Sequence, residues 1–311
     1  MSSSRIRKNC PTDFYSNLLP LCFSSSMKGS WRFPVEDIAS KRLFFGVQRH
    51  VTPDLRGLNG SVAKPRNASD KLAWMSRSRP PLFKWRHFEP AVITCAVGWY
   101  LRFSLSYRNV EELLTERGLG ADHTTIWRWV QRYAPVLDQR CRRELKPTNG
   151  SWRVDETYVR VKGKWAYLYR AVDSTGATID FQLCARRDAH AAKRFFQKAL
   201  STPGRPRPRV INVDGNPSYP RVVAELKRER ALGRRCRCRT CPYLNNLIEQ
   251  DHRAIKRRIN ASQGFRSFQG ARRTIQGYEA VHMIRKGQVR WLPKRDVAGL
   301  VLFINEMLGY E

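Results

Sequence analysis

The sequence predicts an α/β protein with a helical region ahead of its sheet. Three segments rich in β-branched and aromatic residues follow one another within residues 152–183, separated by short Gly-containing turns, as consecutive strands do. Strand-like and helix-like segments then alternate up to residue 258, which is the pattern of a sheet flanked by helices. Upstream, apolar residues recur at helical spacing between residues 89 and 133. A chain of 311 residues is long enough for two or three such units.

Residues 1–80 carry serine runs, scattered prolines and no sustained periodicity, and we expect a poorly ordered basic extension there. An apolar stretch at residues 18–23 is too short for a signal peptide and is interrupted by Pro20. No apolar run approaches the roughly 18 residues of a membrane helix, and we expect a cytoplasmic protein. We hypothesise that translation begins at Met75; native peptides mapping before that residue would exclude this.

The charge balance is strongly basic along the whole chain. Lys and Arg total 58 against 26 Asp and Glu, a formal net charge of +32 at pH 7. Because the excess is spread over the chain, nucleic acid is a better interpretation than simple solubility or a ribosomal-type protein. Binding through such a surface should depend on salt concentration.

Residues 81–148 predict a helix-turn-helix domain, with Ser106 as an N-cap. We expect three helices, at residues 89–103, 107–117 and 123–133. A turn at residues 118–121 precedes the third helix. The third helix leaves four polar side chains outward, suited to the phosphates and base edges of a major groove: His123, Thr125, Arg128 and Arg132. A basic helix pair in an ordinary helical bundle is the alternative. Residues 135–150 should form a basic connection to the first strand.

Three later acids are candidates for a catalytic site. Asp155 lies within the first strand, where an unpaired carboxylate is costly unless it binds a metal or a partner. Asp214 directly follows a short apolar strand, at the end that faces the ligand crevice of an α/β sheet. Glu249 lies on a helix expected at residues 244–258 and shares one face with the two basic residues Arg253 and Lys256.

Brought together, Asp155, Asp214 and Glu249 would supply carboxylate oxygens to two divalent ions about 3.5–4 Å apart. Hard oxygen ligands favour Mg²⁺ or Mn²⁺. Such ions support in-line displacement at phosphorus without a protein nucleophile. Glu156 should point to the opposite face of its strand, and Asp251 is turned by about 200° from Glu249, so both are weaker candidates.

The segments WRVDETYVRVKGKWAYLYRAVD, VINVDGNPSYP and YLNNLIEQDHRAIKRR resemble the DDE transposases of insertion sequence family six. The resemblance covers about residues 83–305 and implies a ribonuclease H-like core at residues 149–262, related to retroviral integrases, with a mixed five-stranded sheet. It implies DNA cleavage at element ends and joining of the 3′-hydroxyl to target DNA, with Asp155, Asp214 and Glu249 as catalytic acids. It also implies a basic residue on the DNA near the scissile phosphate, which corresponds to Lys256, and Arg253 could assist.

The resemblance further implies double-stranded DNA partners, namely terminal repeats and target, a dimer or larger assembly on DNA, and association with a bacterial nucleoid. Two alternatives stay open. One is a DNA-binding regulator with a relic core, and the other is a ribonuclease H-like nuclease that cuts without joining.

Two further segments remain to be assigned. Cys236, Cys238 and Cys241 form a C-x-C-x-x-C pattern that could bind zinc with His252 as a fourth ligand, but a basic loop or short edge strand near DNA phosphates is favoured. Residues 263–311 should form a C-terminal helical segment, whose aromatic residues we interpret as core packing.

Overall fold

The computed structural model describes residues 81–84, 86–202 and 206–310, so the predictions for residues 1–80 lie outside the described residues. Three helices come first: α1 (Pro90–Arg102), α2 (Tyr107–Thr115) and α3 (His123–Cys141). The Ser106 side chain caps α2 in a capping box with Asn109, and the Asp122 carboxylate caps α3 by accepting from the backbone N–H of Thr125. The predicted cap of α2 is confirmed.

The predicted end of the third helix is wrong. The helix α3 continues through Pro135 to Cys141, into the segment predicted to be a basic connection to the first strand. Proline removes one backbone donor inside a helix, but Ala134, Leu137 and Cys141 beside it are fully buried. Packing of this last part of α3 therefore outweighs the local cost of Pro135.

A mixed five-stranded sheet follows, with strand order β3-β2-β1-β4-β5. β1 pairs antiparallel with β2 and parallel with β4, β2 pairs antiparallel with β3, and β4 pairs parallel with β5. The strands are β1 (Ser151–Val161), β2 (Lys164–Asp173), β3 (Thr178–Cys184), β4 (Val210–Val213) and β5 (Arg237–Thr240). The predicted ribonuclease H-like fold class is confirmed by this order and by the helices around the sheet.

Five helices surround the sheet or follow it: α4 (Ala189–Ser201), α5 (Ser218–Arg228), α6 (Asn246–Ala261), α7 (Phe268–Arg285) and α8 (Val297–Leu308). α4 and α5 cover one face, where an apolar cluster includes Trp152 and Val154 of β1. The other face, with Val159 and Val161, packs into a cluster shared by α1, α3, α7 and α8. Since side chains alternate along a strand, the even-numbered Trp152 and Val154 face one cluster and the odd-numbered Val159 and Val161 face the other.

The C-terminal segment is helical as expected, and α7 begins at Phe268, directly after Ser267, whose side chain caps it. Its aromatic residues divide between two environments. Tyr278 is fully buried, whereas Trp291 is 57% exposed, so the core-packing interpretation is correct for the first and wrong for the second. None of the helices in the described part of the chain is long and apolar enough to span a bilayer.

Candidate active site

Asp155 and Asp214 lie side by side because of the parallel pairing of β1 and β4. Val154 pairs with Val213, the last residue of β4, so Asp155 is the next residue on β1 and Asp214 is the first residue after β4. Asp155 is 16% exposed and Asp214 is 34% exposed. The two predicted acids therefore meet at the carboxyl end of β4, where the sheet opens towards solvent.

Glu156 joins these two acids, which the strand alternation alone did not predict. One carboxylate oxygen from each of Asp155, Glu156 and Asp214 lies within 4.8 Å of the others. β4 ends at Val213, so no backbone separates the two faces of β1 at this point. A side chain from the opposite face can therefore reach the same end of the sheet.

Both oxygens of Glu156 already accept hydrogen bonds. Arg187 donates through Nε to Oε1, and Tyr219 donates through its hydroxyl to Oε2. Nη2 of Arg187 also lies 3.9 Å from Oδ2 of Asp214. The pair Arg187 and Tyr219 thus compensates the charge of Glu156 and holds it behind the two aspartates.

Glu249 lies in the first turn of α6 and is exposed. It is outside the group of three carboxylates within 4.8 Å, yet its charge acts on Asp155. Burial, followed by the charges of Glu156, Asp214 and Glu249, raises the pKa of Asp155 to about 7. The structure therefore brings Asp155 and Asp214 into contact range and places Glu249 within electrostatic range of them.

Two hydrogen bonds to backbone carbonyls hold the segment before α6 against β1 and β4. Nε of Arg153, two residues before Asp155, donates to the carbonyl of Leu244 at 3.1 Å. The N–H of Cys241 donates to the carbonyl of Val213 at 3.2 Å. These contacts fix the turn that leads into the Glu249 helix.

A buried ion network holds the body of α6. Arg170 of β2 is fully buried and binds Glu279 of α7 through Nε at 2.6 Å and Asp251 of α6 through Nη2 at 2.6 Å. Oδ1 of Asp251 also contacts Nε2 of His282 at 2.7 Å and Nζ of Lys286 at 3.1 Å. Although burial disfavours its charged form, the charge of Arg170, the hydrogen bond with His282 and the charge of Lys286 hold the pKa of Asp251 well below its usual range.

Asp251 is a weak candidate from the sequence alone, and Arg170 and Glu279 are not among the predicted site residues. Asp251 is not part of the carboxylate group; it joins the Glu249 helix to the sheet and to α7. The available signal was Arg170, a charged residue inside a segment predicted as a strand, which requires a buried partner.

His252 packs beside the aspartates. Its Nδ1 lies 3.7 Å from Oδ2 of Asp155. Burial, together with the charge of Arg170, lowers the pKa of His252 to about 3, so the imidazole is neutral next to the carboxylate.

The zinc arrangement with His252 is not formed. In the described part of the chain, the acidic group at Asp155 is the only set of three or more His, Cys, Asp or Glu side chains close enough to share an ion. Cys236 is buried and Cys238 packs against the same apolar cluster, on either side of the first residue of β5. The alternative interpretation as a short edge strand is the one that the structure shows.

The basic residues predicted to contact DNA are mostly at the surface. Arg253 and Lys256 are exposed on α6. On α3, Arg128 and Arg132 are exposed and Thr125 is half-buried, and all three line a hollow of about 510 Å³. His123 is also half-buried, and its Nδ1 lies 3.1 Å from a carboxylate oxygen of Glu111 on α2.

Comparison with known proteins assigns the family. A family model described as a DDE domain matches residues 149–288. The transposase of the insertion sequence-like element IS431mec from Staphylococcus aureus is 44% identical over 210 residues, covering 68% of this chain and 91% of that protein. The chain belongs to the DDE transposases of insertion sequence family six. As a member of this family, the transposase is a polynucleotidyl transferase.

Further relatives and solved structures were found. The transposase of insertion sequence element IS257 in transposon Tn4003, also from Staphylococcus aureus, is 43% identical over 210 residues, with 68% of this chain and 91% of that protein covered. The catalytic core domain of HTLV-2 integrase superposes with a TM-score of 0.29 at 22% identity, covering 36% of this chain and 69% of that chain. The BIV integrase core gives 0.31 at 17% identity, covering 41% and 80%.

Membership of the DDE family implies use of a divalent metal, and the residues present fit one. Asp155 and Asp214 supply carboxylate oxygens at the edge of the sheet, and burial followed by the charges of the neighbouring carboxylates raises the pKa of Asp155. A divalent cation would balance that charge.

Proposed function

We propose that the transposase binds the terminal inverted repeats of an insertion sequence, cleaves DNA at the element ends and joins the freed 3′-hydroxyl to target DNA. The observation that carries the proposal is the convergence of Asp155 and Asp214 at the end of β4. Two carboxylates held together beside a third acid, on a chain of net charge +32, suit phosphoryl transfer on a polyanion.

Asp155, Asp214 and Glu249 are the proposed metal ligands, for two ions of Mg²⁺ or Mn²⁺. Glu249 is preferred to Glu156 as the third ligand because both oxygens of Glu156 already accept hydrogen bonds from Arg187 and Tyr219. When bound, such ions supply Lewis acidity that activates a water or 3′-hydroxyl and stabilises the leaving 3′-oxygen.

The chain's own cations position the DNA. Arg253 and Lys256 lie four and seven residues after Glu249 on the exposed side of the same helix, and we assign them to the DNA backbone near the scissile phosphate. A positive charge at that place balances the phosphate charge as the DNA approaches three carboxylates.

The helices α2 and α3 are proposed to act as a helix-turn-helix that binds the terminal repeats. Arg128 and Arg132 would reach phosphates or base edges, with Thr125 beside them. His123 would contribute through Nε2, since its Nδ1 is engaged by Glu111. Two element ends must be processed together, so we propose at least a dimer on DNA.

A strand-transfer assay tests this proposal. The full chain is incubated with Mg²⁺, a labelled terminal-repeat duplex and a target plasmid, and cleaved and joined products are separated by electrophoresis. We expect Asp155→Asn and Glu249→Gln to abolish cleavage and joining while duplex binding is kept. Glu306→Gln, at an exposed acid of α8, is the matched control and should behave like wild type.

The outcomes distinguish the alternatives. Binding of the duplex without cleavage by the wild-type chain would favour a DNA-binding regulator. Cleavage without a joined product would favour a nuclease. Strand transfer that persists in Asp155→Asn or Glu249→Gln would remove that residue from the site.

A further inference from the structure

A groove of about 1040 Å³ lies between the N-terminal helices and the sheet domain. One wall is formed by α3 with the start of α2. The opposite wall is formed by the β1–β2 turn, the loop between α6 and α7, and the first residues of α7. Of the residues that line it, only His123 and Arg128 have a role in the proposed function.

The groove is cationic. Five basic side chains line it, Arg108, Arg128, Arg160, Lys162 and Arg266, and no acidic residue does so within the described part of the chain. None of these five forms an ion pair with another described residue, whereas Arg142, Arg170 and Arg187 elsewhere all do. Unpaired cations that face one another across a groove favour a polyanion between them.

Trp127 adds an aromatic surface to this groove. It is 44% exposed on α3, while Trp129 on the same helix is 5% exposed and packs in the core. Packing of α3 therefore does not account for the exposed ring. An exposed indole among unpaired cations is the combination by which proteins stack the bases of single-stranded nucleic acid.

Both walls are held in place. The N–H of Lys162, at the tight β1–β2 turn, donates to the carbonyl of Phe265 in the α6–α7 loop at 2.8 Å. Across the groove, Nε2 of Gln131 on α3 donates to Oγ1 of Thr274 on α7 at 2.9 Å, and Thr274 itself lines the groove. The groove is therefore formed without a ligand, which lowers the entropic cost of binding.

The shape of the groove selects among forms of DNA. Proteins read duplex DNA by inserting a protruding element into a groove about 12 Å wide. A concave site of this volume is at the upper end of the range for small-molecule pockets, about 300–1,000 Å³, and suits a few unpaired nucleotides better than a double helix.

We infer that this groove binds a short single-stranded segment of DNA, with a base stacked on Trp127 and phosphates at Lys162 and Arg266. The inference rests on the proposed function, because cleavage at an element end is what would leave unpaired nucleotides next to the duplex. It goes beyond that function by assigning a second, strand-specific DNA site to the chain.

The test is fluorescence anisotropy with the full chain and three labelled probes: a blunt terminal-repeat duplex, the same duplex with a four-nucleotide single-stranded tail, and the tail sequence alone. We expect the wild-type chain to bind the tailed duplex more tightly than the blunt duplex. Trp127→Ala should weaken binding of the tailed duplex by about 5-fold to 150-fold, as expected for the loss of one stacked base, and should leave the blunt duplex unaffected.

Three further variants make the result specific. Trp127→Phe keeps a ring and should restore most of the preference for the tail. Lys162→Ala should weaken binding of the tailed probe and reduce the salt dependence of its affinity by about one phosphate contact. Trp291→Ala, at an exposed tryptophan that does not line the groove, is the matched control and should bind all probes as wild type does.

Equal affinity of the wild-type chain for tailed and blunt duplexes would overturn the inference. So would an equal loss on both probes in Trp127→Ala, since that result would place Trp127 on duplex DNA. Both results leave the proposed function intact. Failure of the wild-type chain to bind any terminal-repeat duplex would instead contradict the proposed function itself.

Discussion

The buried network around Arg170 makes a prediction about how the active-site helix is held. Removing the charge of Glu279 by Glu279→Gln is the chosen perturbation. Glu279 and Arg170 are both fully buried and are joined by two hydrogen bonds, from Nε at 2.6 Å and from Nη2 at 3.0 Å. The substitution keeps the size of the side chain and removes one of the two negative charges next to Arg170.

The expected magnitude follows from the groups that remain. Asp251 still binds Arg170 at 2.6 Å, but Asp251 also contacts the half-buried Lys286, so two cations would share one carboxylate. Removing one partner of a buried ion pair lowers the free energy of unfolding by about 3–5 kcal/mol. Because the pair between Arg170 and Asp251 remains, we expect a loss of about 3 kcal/mol here. At a urea m-value of about 3 kcal/mol per M, the unfolding midpoint should fall by about 1 M.

Urea unfolding followed by circular dichroism measures this shift. Glu229→Gln, in a solvent-exposed contact with Lys193, is the matched control and should leave the midpoint unchanged. Because Asp251 is two residues from Glu249, Asp251→Asn should also lower strand transfer more than it lowers duplex binding. An unchanged midpoint in Glu279→Gln would refute the view that this network holds α6 on the sheet.

Three other predictions concern packing, the acidic group and metal binding. Gly277→Ala should lower the free energy of unfolding by about 1–3 kcal/mol, because the added Cβ would lie 2.7 Å from the Cβ of Ala134. Gly98→Ala is the control and should leave the free energy of unfolding unchanged, since its Cβ would have nothing within 4 Å. Equal urea midpoints for the two variants would contradict this prediction. Glu156→Gln should reduce strand transfer by about 10-fold to 100-fold through weaker hydrogen bonds, whereas complete loss would make Glu156 a metal ligand. Millimolar Mg²⁺ should raise the thermal midpoint of the wild-type chain and not of Asp155→Asn, and EDTA should reverse the shift.

The pairing of Asp155 with Asp214 was within reach of the sequence. Strand periodicity placed the first acid on β1, and the short apolar run at residues 210–213 placed the second at a strand end. Parallel pairing of those two strands then makes the acids neighbours, because Val154 and Val213 are in register. The strand pattern, together with the rule that ligands bind at the carboxyl ends of parallel strands, was sufficient to predict that these two acids meet.

The roles of Glu156 and Asp251 could not be predicted in the same way. Alternation assigns Glu156 to the far face of β1, but the outcome depends on where the neighbouring strand β4 stops. Asp251 lies on a helix with several polar positions, and helical phase does not distinguish a side chain buried beside Arg170 from one in solvent. Both depend on contacts between residues far apart in the sequence.

The end of α3 was mispredicted for a related reason. Pro135 is a strong local signal for a helix boundary, yet the following turns are kept by burial of Leu137 and by the ion pair of Asp138 with Arg142 at 2.9 Å. Tertiary contacts of this kind leave no mark in a local window of sequence.

The central claim is that Asp155 and Asp214 hold the catalytic metal together with Glu249. Anomalous diffraction from crystals of the DNA-bound transposase grown with Mn²⁺ measures this directly. The account predicts manganese peaks bonded to both aspartates, with Glu249 as a further ligand and Glu156 bonded to none. Manganese bound elsewhere, with no peak at either aspartate, would contradict it.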